Sequence, residues 1–414
     1  MRLTDEERAM QAGALGPLRQ WAIEHQIKVG RYLGAADFVP VTQAHIMADT
    51  ESLGLAGVEW LEHWAPLPVE QRRVRVPTIT DPRGTDFAHA ARLKHQEWML
   101  DRERRAIAAF EALGVLMTDT CINYQTIMPP VRGEHVAYGD TGVVIYSNSV
   151  CGARSNFEGG PSALGAGLTG RTPRYGFHLD ACRRATLVVR VAVTPRELDE
   201  WGALGGIVGR LAGDYWQVPA VVGIDRVPTS DEMKHFGAAL ASYGSVALFH
   251  MVGITPEAQR LEDAAADEAV RTCDVGVADL RAFRQTYAEG IDAVDVVVFS
   301  APQLSLIEMQ QLAGLLDGRR VSIPLLAVTS PQVKPDADRL GLTARIEAAG
   351  GTVLSGMCFY QSYAREMAEA NGWQRLATNS AKLVNIIGGY GYRPVLLSMP
   401  ACVEAAGAGG RIAS

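Results

Sequence analysis

Short apolar, β-branched segments alternate with segments of helical periodicity along most of this chain, and that alternation limits its possible folds more than any other feature. Strands that are regularly separated by helices form parallel sheets covered by helices on both faces. The strands predicted in this way are 185–193, 218–224, 245–253, 291–299, 324–328 and 352–354. The helices predicted between them are 195–212, 230–242, 305–316 and 336–349. The chain is therefore predicted to be an α/β protein.

The N-terminal part is predicted to be richer in helix. Helices are expected at 5–27, 43–53 and 87–113, and strands at 72–80 and 114–118. A chain of 414 residues is longer than one hydrophobic core usually supports. We therefore expect two or three α/β lobes, roughly 1–215, 216–330 and 331–414.

Composition and charge argue against several classes of function. A formal net charge of −7 gives no basic footprint for nucleic acid. No apolar run approaches the ~18 residues of a membrane span, and the acidic start lacks a signal-peptide pattern. Six scattered cysteines without a Cys-x-x-Cys pair argue against a zinc ribbon or a thioredoxin-type motif. We expect a cytoplasmic protein that binds neither nucleic acid nor membrane.

A polar segment at 146–156 (YSNSVCGARSN) is the strongest candidate for a ligand site. The apolar residues 143–145 before it are predicted to form a strand, and open α/β sheets bind ligands at the carboxyl ends of their strands. Its hydrogen-bonding side chains are Asn148, Ser149, Ser155 and Asn156. Arg154 adds a planar guanidinium that can clamp a carboxylate or a phosphate. The alternative is a polar turn in which the arginine caps a helix.

Other polar loops follow predicted strands and can converge on the same crevice. Thr78 and Asp86 are expected to shape this crevice, and Ser380 and Lys382 to add a hydrogen-bond donor and a positive charge. The alternatives are structural, because Asp86 can cap a helix and Lys382 can be a surface cation. His45 is a candidate acid–base group, although a single histidine on an apolar strand is more often a core residue.

Segment 146–156 resembles the large-subunit signature of the aconitase X family, an Asn-Ser-x-x-Gly-Ala-Arg run. Further blocks look like landmarks of the same family and follow its order over essentially the whole chain. They are LTDEERAMQAG (3–13), VTQAHI (41–46), VPTITDPRGTD (76–86), TDTC (118–121), TGRTPRYGFHLD (169–180), DEMKHFGAALASYGSVALFHMVGITPEA (231–258) and TNSAK (378–382). The resemblance implies an aconitase-like, multi-lobed α/β core.

The implied reaction is the removal of water from a small hydroxy acid, in which the iron of an iron–sulfur cluster draws off the hydroxyl group as a Lewis acid. In the family three cysteines hold this cluster, and Cys121 and Cys358 stand where two of them are expected. Ala301 occupies the third position, and Gln303 replaces an expected histidine. Cys151 could supply the missing thiolate to a [2Fe–2S], [3Fe–4S] or [4Fe–4S] cluster. The other hypothesis is that the cluster is absent or altered.

The resemblance also implies a small swivelling domain, which supplies a serine base and part of the substrate pocket. We expect this domain as a separate small partner subunit, because the family's large part accounts for all 414 residues. His45, Ser149 and Lys382 are the catalytic candidates in this chain.

Three kinds of function remain open at this point. The first is a dehydratase that acts on cis-3-hydroxy-L-proline or on mevalonate 5-phosphate. The Ala- and Arg-rich composition of this chain is typical of high-GC bacteria, which favours cis-3-hydroxy-L-proline. A phosphate could be bound by Arg154, Arg171 and Arg174. The second is a divergent lyase or isomerase that has no cluster or a single metal ion. The third is a non-catalytic binding or assembly subunit, against which the intact segment 146–156 argues.

Overall fold

The computed structural model describes residues 1–265 and 270–412 and groups them around four sheets. Every strand pair in the three larger sheets is parallel, and only the small pair β1–β5 is antiparallel. None of the helices in these ranges is long and apolar enough to cross a membrane.

The N-terminal lobe contains a three-stranded sheet in the order β3-β2-β4 and the small pair β1-β5. Its strands are β1 Phe38–Pro40, β2 Ala44–Ile46, β3 Thr78–Thr80, β4 Ala137–Tyr138 and β5 Arg171–Pro173. Its helices are α1 Asp5–Gln11, α2 Pro17–Tyr32, α3 Thr50–Trp64, α4 Val69–Arg72, α5 Ala90–Leu93, α6 Glu97–Ala112, α7 Asn123–Thr126, α8 Thr141–Tyr146 and α9 Gly160–Thr169.

The middle lobe contains a four-stranded sheet in the order β8-β7-β6-β9. Its strands are β6 Leu187–Val191, β7 Pro219–Val222, β8 His250–Met251 and β9 Arg271–Val275. Its helices are α10 Leu198–Ala212, α11 Ser230–Gly244, α12 Leu261–Ala264 and α13 Val277–Thr286. Trp201 of α10 and Phe236 of α11 are fully buried and pack edge to face, which fixes these two helices to each other.

The C-terminal lobe contains a five-stranded sheet in the order β12-β11-β10-β13-β14. Its strands are β10 Val296–Leu304, β11 Leu325–Thr329, β12 Thr352–Ser355, β13 Arg375–Thr378 and β14 Arg393–Leu396. Its helices are α14 Leu306–Leu315, α15 Lys334–Arg339, α16 Leu342–Ala348, α17 Ala364–Asn371, α18 Ala381–Ile387 and α19 Met399–Gly407. The lobe limits expected near residues 215 and 330 fall inside the four-stranded and five-stranded sheets.

Several elements of the N-terminal lobe differ from the prediction. The helix expected at 43–53 is wrong, because strand β2 occupies 44–46 and α3 begins only after Asp49, whose side chain accepts a hydrogen bond from Ser52 N at 2.8 Å. The long helix expected at 87–113 is interrupted at Lys94, which adopts a left-handed conformation with φ of 58°. The strand expected at 114–118 is reduced to a single bridge between Ile79 and Leu116.

The strand expected at 143–145 is also wrong, because these residues lie in helix α8. Asp140 caps this helix and accepts a hydrogen bond from Val143 N at 2.9 Å. The helix continues into a π-helical turn at Ser147–Cys151, and the glycine-rich segment after it forms α9. A short apolar run fits a fully buried helix as well as a buried strand, and periodicity cannot distinguish the two.

Candidate active site

Loops from the N-terminal and C-terminal lobes meet at a buried group of titratable side chains. We call this group the central cluster; it consists of His45, Asp81, Cys121, Asp140, Cys358 and Lys382. All six side chains are almost completely buried, with residue exposures of 0–5%. His45 lies on β2 and Asp81 directly follows β3, whereas Cys358 follows β12. Parallel strands of two sheets therefore deliver these residues to one place, in agreement with the rule for ligand sites in open α/β sheets.

Lys382 provides the positive charge of the central cluster. It lies in the first turn of α18, which Ser380 caps by accepting a hydrogen bond from Leu383 N at 3.1 Å. Its Nζ donates to Asp140 Oδ2 at 3.4 Å and lies 5.7 Å from the ring centre of Tyr360. Burial alone would lower the pKa of Lys382, but the charge of Asp140 raises it above its usual value. Lys382 is therefore cationic at neutral pH.

The two carboxyl groups of the central cluster are driven to opposite protonation states. Burial raises the pKa of Asp81 well above its usual value, and the negative charge of Asp140 raises it further. Burial opposes ionisation of Asp140 as well, but the ammonium group of Lys382 holds the pKa of Asp140 below its usual value. The site thus pairs a carboxyl group whose neutral form is favoured with one whose ionised form is favoured, a separation that assigns acid and charge-stabilising roles in enzyme sites.

His45 and Asp81 present polar atoms that the protein leaves unsatisfied. His45 Nε2 donates to the carbonyl oxygen of Thr120 at 3.0 Å and lies 3.7 Å from Asp81 Oδ1. Burial lowers the pKa of His45, so the imidazole is neutral and its Nδ1 is an acceptor. Among the residues that the structure describes, His45 Nδ1 and Asp81 Oδ1 have no hydrogen-bond partner. Buried polar atoms without partners are costly, and a bound ligand or water would supply the missing hydrogen bonds here.

Cys121 lies close enough to Cys358 for the charge of that thiol to act on it. Burial, followed by the charge of the opposite thiol, raises the pKa of Cys121 well above its usual value. Burial raises the pKa of Cys358 to about 12. Both side chains are therefore neutral thiols as the chain stands.

In the part of the chain that the structure describes, no third metal ligand is assembled beside these two thiols. Ala301 is buried at the position where the family resemblance implies a cysteine. Cys151 lies at the end of the π-helical turn, half-buried, with Glu134 as the neighbouring charge that acts on it. Within residues 1–265 and 270–412, no group of three or more His, Cys, Asp or Glu side chains is arranged to hold a metal ion. The side chains present do not fit a cluster held by three thiolates.

The signature segment at 146–156 uses its hydrogen-bonding groups within the protein. Asn148 Nδ2 donates to the carbonyl oxygens of Ser155 at 2.8 Å and Ala247 at 2.9 Å. Asn148 Oδ1 accepts from Ser155 N at 2.9 Å. Ser149 Oγ accepts from Phe249 N at 2.9 Å. These contacts connect the segment to the extended chain that leads into β8.

Asn156 and Arg154 are engaged in the same way. Asn156 Oδ1 accepts from Phe177 N at 3.0 Å and from Tyr215 Oη at 3.1 Å. Arg154 donates to the carbonyl oxygen of His178 at 3.1 Å and forms an ion pair with Asp180. The structure does not bring these side chains into the central cluster.

The remaining predicted residues are Thr78, Asp86 and Ser380, and each makes hydrogen bonds within the protein. Thr78 begins β3, at the end opposite Asp81, and its Oγ1 donates to the carbonyl oxygen of Val76 at 3.0 Å. Asp86 accepts a hydrogen bond from Ser355 N at 3.0 Å and so attaches its loop to the end of β12. Ser380 Oγ donates to the carbonyl oxygen of Ala301 at 2.5 Å, which places it beside the cluster.

Sequence reasoning missed Asp81, Asp140 and Gln361. Gln361 Nε2 donates to Asp81 Oδ2 at 2.9 Å and orients that carboxyl group. Asp81 directly follows β3 and Asp140 is the second residue after β4, and this position after a strand is the sequence signal that could have identified them. An acidic residue in such a position usually ends a strand or caps a helix, so this signal alone does not identify an active-site carboxyl group.

Comparison with known proteins shows that the likeness extends over the whole chain. Three family models match in order: "Aconitase X first domain" over residues 1–181, "Aconitase X second domain" over 185–285 and "Aconitase X third domain" over 294–408. A crystal structure of Thermococcus kodakaraensis aconitase X in its holo-form superposes with a TM-score of 0.86 at 30% identity, covering 98% of this chain and 100% of that one. This match confirms the predicted α/β fold.

Two named enzymes illustrate the range of relatives. The phosphomevalonate dehydratase large subunit of Methanothermobacter thermautotrophicus is 35% identical, and the alignment covers 92% of this chain and 93% of that protein. The cis-3-hydroxy-L-proline dehydratase of Pseudomonas aeruginosa is 32% identical, and the alignment covers 99% of this chain but 70% of the longer relative.

Proposed function

This chain belongs to the aconitase X family, and we propose that it is the large subunit of a dehydratase that removes water from a small hydroxy acid. The observation that supports the proposal best is the burial of Asp81 and Asp140 in one cluster with the cation of Lys382, where the pKa values of the two carboxyl groups are shifted in opposite directions. Elimination of water needs a proton for the departing hydroxyl group and a positive charge near the carboxylate next to the reacting carbon. The central cluster contains both.

Each residue of the cluster has a defined role in this proposal. Lys382 holds the substrate carboxylate and stabilises the negative charge that develops on it as the neighbouring C–H bond breaks. Asp81 donates its proton to the hydroxyl group, which leaves as water while the carbon–carbon double bond forms. The proton from carbon passes to a base, for which the unpartnered Nδ1 of His45 is the candidate in this chain. A serine of a small partner is the alternative base.

Because the side chains do not fit a three-thiolate cluster, the proposed steps use only groups of the chain itself. Asp81 would supply the proton that assists departure of the hydroxyl group, a step that otherwise calls on a Lewis acid. Cys121 and Cys358 line the site as neutral thiols in this proposal.

The substrate that we favour is cis-3-hydroxy-L-proline. The arginines considered for a phosphate are already paired, Arg154 with Asp180, Arg171 with Glu6 and Glu7, and Arg174 with Asp37. Lys382 is therefore the cation that the central cluster offers to a substrate. One positive charge suits a substrate that has a single carboxylate. The second candidate is mevalonate 5-phosphate, which is favoured by the near-complete alignment with a phosphomevalonate dehydratase large subunit.

A small partner subunit is part of the proposal. The M. thermautotrophicus relative is named a large subunit, and the P. aeruginosa relative is longer than the aligned region. An additional chain or domain would complete the enzyme and cover the edge of the sheet where the central cluster lies. We expect the assembled enzyme to work in the cytoplasm.

The test is turnover of the two hydroxy acids by the chain together with its small partner. Loss of the substrate C–H signal and appearance of an alkene or imine product would be followed by NMR. We expect turnover of cis-3-hydroxy-L-proline, and at least a hundredfold loss of kcat in Asp81→Asn. Asp336→Asn, a change of the same type on an exposed part of α15, is the matched control and should keep full activity. Undiminished turnover by Asp81→Asn would refute the assigned proton donor.

A further inference from the structure

We propose that Gln303 is the positioning residue of the central cluster, because its side-chain amide holds together the loops that carry Cys121 and Cys358. Gln303 is the next-to-last residue of strand β10 and is completely buried. The inference rests on the proposed function only in taking the central cluster as the reacting site.

The amide of Gln303 bridges two distant parts of the chain. Its Nε2 donates to the carbonyl oxygen of Asp119 at 3.1 Å and to that of Met357 at 3.2 Å. Its Oε1 accepts from Cys121 N at 3.3 Å. Both amide protons and the carbonyl oxygen are therefore used, and they connect the segment 119–121 to Met357, the residue before Cys358.

The backbone of Gln303 extends this bridge to the thiol itself. Its N–H points to Cys121 Sγ at 3.4 Å, a distance suited to a hydrogen bond with sulfur. Two residues earlier the backbone of Ala301 accepts a hydrogen bond from Ser380, next to the helix that carries Lys382. The segment 301–303 thus contacts every loop that supplies a thiol or the cation of the cluster.

A buried ion network fixes Gln303 from behind. Lys234 of α11 has no exposed surface and donates to the carbonyl oxygen of Gln303 at 3.2 Å. Lys234 also pairs with Glu308 of α14 and with Asp231. Removing one member of such a network would leave a buried charge uncompensated. The network therefore holds the segment 301–303 in one position.

The same neighbourhood holds Cys358 through Ser300. Ser300 Oγ accepts a hydrogen bond from Phe359 N at 3.1 Å and lies 3.8 Å from Cys358 Sγ. Hydrogen bonds from strand β10 therefore reach both cysteine loops and hold them together. In a metalloprotein a shared metal centre would hold two such loops. It follows that the two thiols keep their places without a metal bridge between them.

Gln303→Ala tests the inference in the full chain with its small partner present. Labelling of Cys121 and Cys358 by a thiol reagent, read by mass spectrometry, reports directly on how firmly the two loops are held. We expect labelling of both to be at least tenfold faster in Gln303→Ala, with a tenfold lower kcat and a KM changed less than threefold. Gln303→Glu should behave alike, since its carboxylate would face two carbonyl oxygens.

Gln332→Ala is the matched control. Gln332 donates one hydrogen bond to the carbonyl oxygen of Thr118 at 2.9 Å, close to the same loop but without contact to either cysteine. Its labelling rates should equal those of the wild type. Unchanged labelling in Gln303→Ala would overturn the inference.

A second arm uses the wild type alone and decides the question even when a variant does not fold. Iron and sulfide are measured in protein purified without oxygen, and labelling and thermal unfolding are repeated after treatment with an iron chelator. We expect chelation to leave both unchanged. Stoichiometric iron whose removal exposes the thiols and lowers the Tm would overturn the inference. If neither hydroxy acid is turned over, the proposed function fails, while the labelling result still decides the role of Gln303.

Discussion

Lys382 and Asp140 show how much a single buried pair can determine. Each has little access to solvent, and each keeps its charge because the other is present. Removing one member leaves an uncompensated buried charge, which costs more than the pair itself contributes. Changing the two residues singly and together should therefore distinguish their effect on stability from their effect on activity.

Lys382→Met should destabilise the chain by about 3–5 kcal/mol, because Asp140 then remains buried without its cation. The double change Lys382→Met with Asp140→Asn should recover most of this stability, since no charge is left uncompensated. Dehydration should stay at least a hundredfold below the wild type in both. Urea unfolding and kcat together measure these effects; activity that returns in the double variant would remove Lys382 from the substrate site.

Glu158 is a buried carboxyl group that accepts a hydrogen bond from Thr172 Oγ1 at 2.7 Å. Burial raises the pKa of Glu158 to about 7 from a usual value of 4.5. Below pH 4.5 the group is protonated in both the folded and the unfolded state and costs nothing. As pH rises from 4.5 to 7 the unfolded state ionises first, so the free energy of unfolding falls, by about 3 kcal/mol in total.

Glu158→Gln should remove that part of the pH dependence. The free energy of unfolding should then change less between pH 5 and pH 8 than in the wild type, and the variant should be the more stable protein at pH 8. Urea unfolding at both pH values measures the difference. A wild-type curve that rises over this range, with an unchanged slope in Glu158→Gln, would contradict the buried, protonated state of Glu158.

At the scale of elements, helix α8 and the π-helical turn after it form a scaffold beside the site. Asn148 connects this turn to the segment after it and to the chain that enters β8. An asparagine that makes three buried hydrogen bonds is needed for the shape of the backbone around it. We therefore expect the segment 146–156 to affect activity indirectly, by fixing the position of α8 and of its capping residue Asp140.

Asn148→Ala should lower the free energy of unfolding by about 2–4 kcal/mol, because two buried carbonyl oxygens and one N–H lose their partner. KM for the hydroxy acid should change less than threefold in the protein that remains folded. Thr286→Ala, which removes an exposed hydrogen bond to the carbonyl oxygen of Ala282 in α13, is a suitable comparison. A large rise in KM with full stability would place Asn148 on the substrate.

At the scale of the whole molecule, an apolar groove of about 390 Å³ opens beside the carboxyl end of β2, next to the central cluster. Its walls include Met47, Trp60 and Leu164. An apolar surface at the rim of a buried site suits a protein partner better than a small polar substrate. We expect the small subunit to pack here.

Ala56→Glu should weaken association with the small subunit at least tenfold, because Ala56 is an exposed wall residue of the groove and a glutamate there must be desolvated on docking. Ser52→Glu places the same charge outside the groove, before the kink of α3 at Gly54, and should leave association unchanged. Calorimetric titration of the two subunits measures both. Equal affinity of both variants would show that the small subunit binds elsewhere.

Prediction from sequence succeeded where an element repeats a clear pattern. The helix expected at 230–242 is α11 at 230–244, and the strand expected at 324–328 is β11 at 325–329. It failed at residues 143–145, where three apolar β-branched side chains form a helix because they are buried on all sides and Asp140 caps the start. Tertiary burial decides such short runs, and no local signal does.

The sequence by itself determined the family, the α/β class and the parallel sheets, because periodicity, strand-ending loops and motif order are properties of the chain read in one dimension. It also named Cys121, Cys358, His45 and Lys382 as candidates. Only the tertiary structure decided which of them meet. It joined them to Asp81 and Asp140, and it engaged Arg154 and Asn148 in internal hydrogen bonds instead. Protonation state and proximity depend on burial and on neighbouring charges from distant segments, and these exist only after folding.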